Sequence, residues 1–135
     1  LWKNGDDYFD APDDANGVAP HRLLLQAGVP AAIGTDNIPV SLFATMGAAR
    51  RRRERATGRV LGPRQCLDGR EALALATRNA AMLSFEEDEK GTIEPGKLAD
   101  LVVLDRDPTA VGPEETDAIV PLATMVRGRF VHEAW

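Results

Sequence analysis

The sequence predicts an α/β fold followed along the chain by a small β region. Three observations support this prediction. A helical pattern is followed directly by a short apolar run at residues 30–34, which is too brief for a helix and is typical of a buried strand. Two longer helical patterns follow this strand. After residue 91 the chain becomes rich in turn residues and β-branched runs. We therefore expect two regions: an α/β part over residues 1–85 and a β part over residues 86–135, the latter too small to stand alone.

Composition limits the function classes. The chain has 135 residues, of which 44% are hydrophobic and 27% charged, with a net charge of −5. These values fit one ordinary globular domain, and the acidic balance argues against nucleic-acid and membrane-surface binding. The single cysteine, Cys66, excludes an internal disulfide and favours the cytoplasm. The first residue is Leu1 rather than Met, so we expect an excised or truncated piece.

The first 27 residues contain one loop and one helix. Residues 1–19 hold acidic clusters and turn dipeptides, which predict a polar loop; the ligand spacing of an EF-hand is absent. Residues 20–27 predict a helix, with Pro20 at its first position and Gly28 just past its end. His21 falls in the first turn of this helix, where a surface or cap role is favoured over metal ligation.

Asp36 is the one residue placed like a catalyst. The predicted strand ends abruptly in Gly34-Thr35-Asp36, so a carboxylate stands at its exit. In barrels of alternating strands and helices, the carboxyl ends of the strands face the active site. The alternative is that Asp36 only turns the chain or caps the next helix, which Asp does well.

The next helix is predicted over residues 41–55, with Leu42, Met46 and Ala49 on one buried face. Its far end is basic, with arginines at positions 50–53 and 55. Cations are favoured at a helix C-terminus, so we expect a solvated helix end. Binding of an anionic ligand by this basic cluster is the alternative.

The strongest helical pattern covers residues 69–83. Asp68 followed by Glu71 predicts a capping box at its start. The expected buried face consists of small and apolar side chains at Leu73, Ala76, Ala80 and Leu83. Cys66 precedes this helix, and a plain thiol is favoured there over a nucleophile activated by the helix terminus.

The β region is predicted from its turns. Glu94-Pro95-Gly96-Lys97 has Pro and Gly where a type II turn requires them. A strand is predicted over residues 99–104, and residues 123–126 and 129–132 flank Arg127-Gly128 as a closing hairpin.

Three segments in this order resemble a known family. They are Gly-Val-Pro-Ala-Ala-Ile-Gly-Thr-Asp-Asn (28–37), Ala-Leu-Ala-Leu-Ala-Thr-Arg-Asn-Ala-Ala (72–81) and Lys-Gly-Thr-Ile-Glu-Pro-Gly-Lys-Leu-Ala-Asp-Leu-Val-Val-Leu-Asp-Arg-Asp-Pro (90–108). Together with the hairpin at 122–132, they resemble the carboxyl-terminal end of the amidohydrolase superfamily, and within it the family-3 branch of metal-dependent hydrolases. The resemblance covers about residues 17–132.

The resemblance implies the last strand and helix units of a (β/α)8 TIM-like barrel, with its eighth strand at residues 30–36, and the C-terminal strands of a small β-sandwich. It also implies that Asp36 binds a divalent metal, with zinc the expected ion, and carries a proton for the attack of water. The His-x-His pair and the other ligands of such enzymes are missing from the sequence. A full barrel needs on the order of 250 residues, so we expect an incomplete fold, inactive and without bound metal by itself.

The function implied is hydrolysis of an amide-like C–N bond of a small molecule by the intact parent enzyme. The alternative is a truncated, non-catalytic scaffold or association module that keeps only the last units of the fold. In either case the missing barrel strands predict self-association or pairing with the missing elements, because unpaired strand edges and apolar faces would be exposed. No nucleic-acid or membrane partner is expected.

Overall fold

The computed structural model describes residues 19–36, 40–54 and 57–134. The predicted acidic loop, apart from Ala19, lies outside these residues, as does Arg55 of the basic cluster. In the described part, four helices precede a three-stranded antiparallel sheet. The elements are α1 (His21–Gln26), α2 (Leu42–Arg51), α3 (Gly69–Ala76), α4 (Arg78–Leu83), β1 (Leu101–Leu104), β2 (Pro121–Val126) and β3 (Arg129–Glu133), with 3-10 helices at Pro63–Gln65 and Pro113–Ala118.

Helix α1 confirms the helix predicted at residues 20–27, whereas the strand predicted after it is not paired with any strand of the described residues and stays a prediction. Residues 29–35 have no ladder with any described strand. The Ile33 N–H donates instead to the Leu75 carbonyl of α3, at 3.2 Å. A β-strand is defined by its hydrogen bonds to a neighbouring strand. Here the acceptor is a carbonyl group near the C-terminal end of α3 instead. The Ala31 side chain is buried, which anchors this segment in the core.

Helix α2 is shorter than the predicted 41–55. Ser41 caps its start by accepting a hydrogen bond from the Ala44 N–H at 3.4 Å. Arg52 follows the last helical residue with φ of 48°, a left-handed conformation that ends the helix four residues before the predicted boundary.

The single helix predicted over 69–83 is two helices. Its predicted start is confirmed: the Glu71 N–H donates to Asp68 Oδ1 and the Asp68 N–H donates to Glu71 Oε2, both at 2.8 Å. Thr77, with φ of −127° and ψ of −90°, interrupts the helix between α3 and α4. Its hydroxyl donates to the Leu73 carbonyl at 2.7 Å, so the side chain replaces one backbone donor of the last turn.

The core lies between α2, α3 and the segment before Asp36. Its buried members are mostly small or aliphatic side chains: Ala31, Met46, Ala49, Leu67, Ala72 and Leu75. The face predicted for α2 is confirmed at Met46 and Ala49. The face predicted for 69–83 is wrong, because Leu83 is 49% exposed while Leu75 is fully buried. The break at Thr77 turns α4 relative to α3, so one helical period cannot describe both.

The sheet has the order β1-β2-β3, and both pairs are antiparallel. The predicted strand and hairpin are confirmed, with β2 beginning two residues earlier than predicted. Arg127 and Gly128 both have positive φ, at 48° and 77°, as a two-residue type I′ turn requires. Val103 lies opposite Ala123, which is fully buried at the centre of the sheet.

Two glycines shape the link between the helices and the sheet. The predicted turn at residues 94–97 is present: the Lys97 N–H donates to the Glu94 carbonyl at 3.2 Å, and Gly96 has φ of 94°. Gly91 also has φ of 94°, and a Cβ there would lie 2.6 Å from Ala81 Cβ. The loop can pass this close to α4 only because Gly91 has no side chain.

Candidate functional site

Asp36 stands at the end of the segment that the core holds through Ala31 and Ile33. Its φ of 53° is left-handed, a conformation that Asp tolerates better than most residues. The residue is exposed. The Thr35 hydroxyl donates to its backbone carbonyl at 3.3 Å, while its carboxylate has no hydrogen bond to another described residue. The Asp36 carboxylate therefore follows a segment that is anchored in the core, and it is open to solvent, so a ligand can reach it.

No other ligand-type side chain joins Asp36 among the residues described. In that part of the chain, no group of three or more His, Cys, Asp or Glu residues is arranged to hold a metal ion. His132 lies on β3, exposed and opposite Thr124. A catalytic zinc normally takes three protein ligands. Asp36 as a metal ligand therefore stays a prediction, and the described residues do not build a complete site by themselves.

His21 is half-buried at the start of α1. Its Nδ1 atom is buried and has no hydrogen-bond partner among the described groups. Burial, and secondly the charge of Arg52, lower the pKa of His21 below its usual value. The neutral ring is therefore the favoured form, and the expected absence of a role in metal binding stays a prediction.

At the end of α2, the arginines at positions 50–52 are not solvated as the sequence predicts, whereas Arg53 is exposed. Arg50 is only 7% exposed. It donates to Thr116 Oγ1 at 2.6 Å, to the Val111 carbonyl at 2.8 Å and, at 3.5 Å, to the Pro108 carbonyl. These contacts form because the chain returns after β1 and covers this end of the helix with carbonyl and hydroxyl acceptors.

Arg51 and Arg52 are also engaged. Arg51 binds Asp117 through two hydrogen bonds of 2.9 and 2.8 Å, and this partner raises the pKa of Arg51. Arg52 has no exposed surface and donates from Nε to the Leu61 carbonyl at 2.6 Å. Burial lowers the pKa of Arg52. Since these three guanidinium groups are occupied by protein acceptors, they do not form the open anion site considered as the alternative.

Cys66 is a partly buried free thiol. Its Sγ atom lies 3.8 Å from the Arg51 carbonyl oxygen, as a weak donor. This contact with a backbone acceptor fits the plain thiol favoured by the sequence.

An open groove of about 880 Å³ lies between α3, α4 and β1, with mostly apolar walls. Leu73 and Ala81 line its helical side, and Val103 lines its sheet side. Its polar lining includes Ser84, Glu86, Lys90 and Asp100. Asp36 is not among the residues that line it, so this groove and the candidate catalytic carboxylate are separate features.

Sequence comparison assigns the family. Residues 5–132 match the family described as the amidohydrolase family, which is almost the whole chain. Within the described residues, no helix has the length and apolar character needed to cross a bilayer.

Curated relatives point the same way. A 5-methylthioadenosine/S-adenosylhomocysteine deaminase of Moorella thermoacetica is 37% identical over 105 residues, which is 77% of this chain and 24% of that protein. A protein of the same name from Teredinibacter turnerae is 32% identical, over 90% of this chain and 27% of its own length. An N-substituted formamide deformylase of Arthrobacter pascens is 35% identical, over 84% of this chain and 21% of the relative.

A solved structure agrees in fold. The crystal structure of an amidohydrolase from Thermotoga maritima superposes with a TM-score of 0.61 and 25% identity, covering 84% of this chain and 26% of that one. This chain thus spans about a quarter of the length of the relatives it matches. The motifs, the fold and the match over residues 5–132 agree, and the chain belongs to the amidohydrolase family.

Proposed function

We propose that this chain is part of a hydrolase that cleaves a non-peptide C–N bond of a small molecule, with Asp36 as a metal ligand and proton carrier. The observation that carries the proposal is the exposed Asp36 carboxylate at the end of a core-anchored segment, without a described protein partner. The relatives named as deaminases and as a formamide deformylase support it, because both names describe cleavage of C–N bonds.

A divalent metal, with zinc the expected ion, would supply an acidified water near neutral pH. Of the ligands such a metal needs, the described residues contribute Asp36. The remaining ligands come from residues outside the described part in this proposal. The finer architecture is proposed with it: residues 30–36 form the eighth strand of a (β/α)8 barrel once neighbouring strands are present, and the region after residue 85 completes a β-sandwich.

The chemistry assigned to Asp36 follows from its acid–base properties. An ionised carboxylate oxygen accepts a proton from the attacking water, and the same oxygen then donates that proton to the leaving nitrogen. The nitrogen leaves as a neutral amine or ammonia. The Asp36 carboxylate can serve both proton transfers, because the proton that it takes from the attacking water is the one that it gives to the leaving nitrogen.

The test uses the intact hydrolase that contains this sequence, with Asp36→Ala compared with Asp88→Ala. Asp88 is also an exposed aspartate but lies in the link after α4. Since a positioned acid–base group typically contributes about 100-fold or more, we expect Asp36→Ala to lose at least that factor in kcat and Asp88→Ala to keep wild-type turnover. Activity above about a tenth of wild type in Asp36→Ala would contradict the assigned role.

A non-catalytic association module is the second candidate, and the exposed edges and side chains of the sheet favour it. Phe130 and Val131 on β3 are 49% and 63% exposed. In this alternative the protein forms complexes but shows no metal-dependent turnover, even when every predicted ligand is present. A cytoplasmic location is proposed for both candidates.

A further inference from the structure

Helix α3 ends with carbonyl groups that need partners from outside its regular turns. A helix leaves its last four carbonyls without an intrahelical donor, and in α3 these belong to residues 73–76. The Thr77 hydroxyl donates to the Leu73 carbonyl at 2.7 Å, and the Thr77 N–H donates to the Ala74 carbonyl at 3.3 Å. Thr77 thus supplies the donors for two of these carbonyls.

The Thr77 hydroxyl favours the break between α3 and α4. In a continuous helix, the Leu73 carbonyl would accept the Thr77 N–H, which lies four residues later. Here the hydroxyl occupies that carbonyl, and the backbone leaves the helical conformation, with φ of −127° and ψ of −90°. Threonine hydroxyls that bind the carbonyl four residues earlier are known to bend helices. The helix therefore stops at Thr77, and α4 starts as a separate element at Arg78.

The break makes the Leu75 carbonyl available to another part of the chain. In a helix that continued through Thr77, this carbonyl would accept the Asn79 N–H. That bond is absent from the described residues, and the Leu75 carbonyl accepts the Ile33 N–H instead, at 3.2 Å. The end of α3 therefore decides which N–H group binds this oxygen.

The bond from Ile33 ties α3 to the segment that leads to Asp36. Of residues 30–36, Ile33 alone has a hydrogen bond to another element in the described part of the chain. The side chains of Ala31 and Leu75 belong to the same core cluster, so Leu75 holds the segment by its side chain and by its carbonyl group. The structure describes every residue from Ile33 to Asp36. A shift of Ile33 therefore shifts the short stretch that carries Asp36.

We propose that Thr77 is a positioning residue: by ending α3, it leaves the Leu75 carbonyl to Ile33 and thereby fixes the position of Asp36. A misplacement of about 1 Å at a reacting group can cost on the order of 100-fold in rate. The inference rests on the proposed function for this kinetic consequence. Its structural part, the link from Thr77 to the Ile33 N–H, stands on the hydrogen bonds alone.

Amide hydrogen exchange in the intact hydrolase tests the structural part. Thr77→Ala and Thr77→Val both remove the hydroxyl, and Thr77→Ser keeps it. Because Thr77 is exposed, we expect all three variants to fold. The matched control is Thr124→Ala on β2, since the Thr124 side chain has no hydrogen bond to a described residue.

We expect the Ile33 amide to exchange at least about five-fold faster in Thr77→Ala and Thr77→Val, because its acceptor is then shared with Asn79. Thr77→Ser and Thr124→Ala should exchange at the wild-type rate. Unchanged exchange at Ile33 in both hydroxyl-free variants would overturn the inference, because the segment would then be held without Thr77.

Turnover of the same variants tests the kinetic part. Well below the melting transition, we expect Thr77→Ala to lower kcat per folded molecule by about 10- to 100-fold. KM should stay within about two-fold, because no substrate contact is removed, and Thr77→Ser and Thr124→Ala should match wild type. Wild-type kcat in Thr77→Ala, in a hydrolase that needs Asp36, would overturn the positioning role.

A comparison with Asp36→Ala separates this inference from the proposed function. If Asp36→Ala kept its activity while Ile33 exchanged faster in Thr77→Ala, the proposed function would fail. The link from Thr77 through the Leu75 carbonyl to Ile33 would stand in that case.

Discussion

Replacing Leu75 with alanine tests whether α3 packs as the structure has it. Leu75 has no exposed surface and packs with Ala31, Met46 and Ala72. Truncating a fully buried leucine costs about 2–5 kcal/mol, including the cavity that is left. We expect about 3 kcal/mol here, because the small neighbouring alanines have little side chain with which to fill the space.

The matched control is Leu73→Ala on the same helix. Leu73 is only partly buried against the core, so we expect a loss of about 1 kcal/mol. Urea unfolding measures both losses of stability. If the free energy of unfolding falls by about 2 kcal/mol per molar urea, Leu75→Ala should lower the urea concentration at the midpoint by about 1.5 M and Leu73→Ala by about 0.5 M. An equal or larger shift for Leu73→Ala would refute this packing and restore the face predicted from the sequence.

Because the pKa of His21 is lowered in the folded chain, the unfolded chain binds more protons just below the usual histidine value of 6.5. Stability should therefore fall as the pH drops through 6.5 towards the folded pKa, and His21→Gln should weaken this dependence in denaturant titrations at stepped pH. Gly91→Ala should destabilise by about 1–3 kcal/mol more than Gly96→Ala, since both have φ of 94° but only a Cβ at position 91 would overlap the Ala81 side chain; equal thermal shifts would contradict this. Sedimentation should show reversible association with rising concentration, because β1 and β3 each leave one edge unpaired in the described sheet; a monomer mass at every concentration would count against it.

The parts of the fold that depend on local signals could be predicted. The capping box at Asp68, the turn around Gly96 and the hairpin turn at Arg127-Gly128 each require a few adjacent residues, and all three are present. Their physical cause lies within the same short stretch of chain, so no knowledge of the rest is needed.

The features that depend on contacts between residues far apart in the sequence could not be predicted. Nothing near Arg50 indicates that Thr116, 66 residues later, accepts its hydrogen bond. The break at Thr77 also escapes a periodicity argument, because Thr is an ordinary residue in a helical pattern. The strand expected before Asp36 needs neighbouring strands for its pairing, and the described residues offer it only the Leu75 carbonyl.

The proton-carrying role of Asp36 is tested most directly by the turnover of the intact hydrolase with Asp36→Asn. This change keeps the size and most of the polarity of the side chain but removes its ability to accept a proton. If Asp36 carries the proton, we expect a folded protein with an unchanged melting temperature and a kcat lowered by about 100-fold or more. A folded Asp36→Asn variant that retains kcat within about ten-fold of wild type would contradict it.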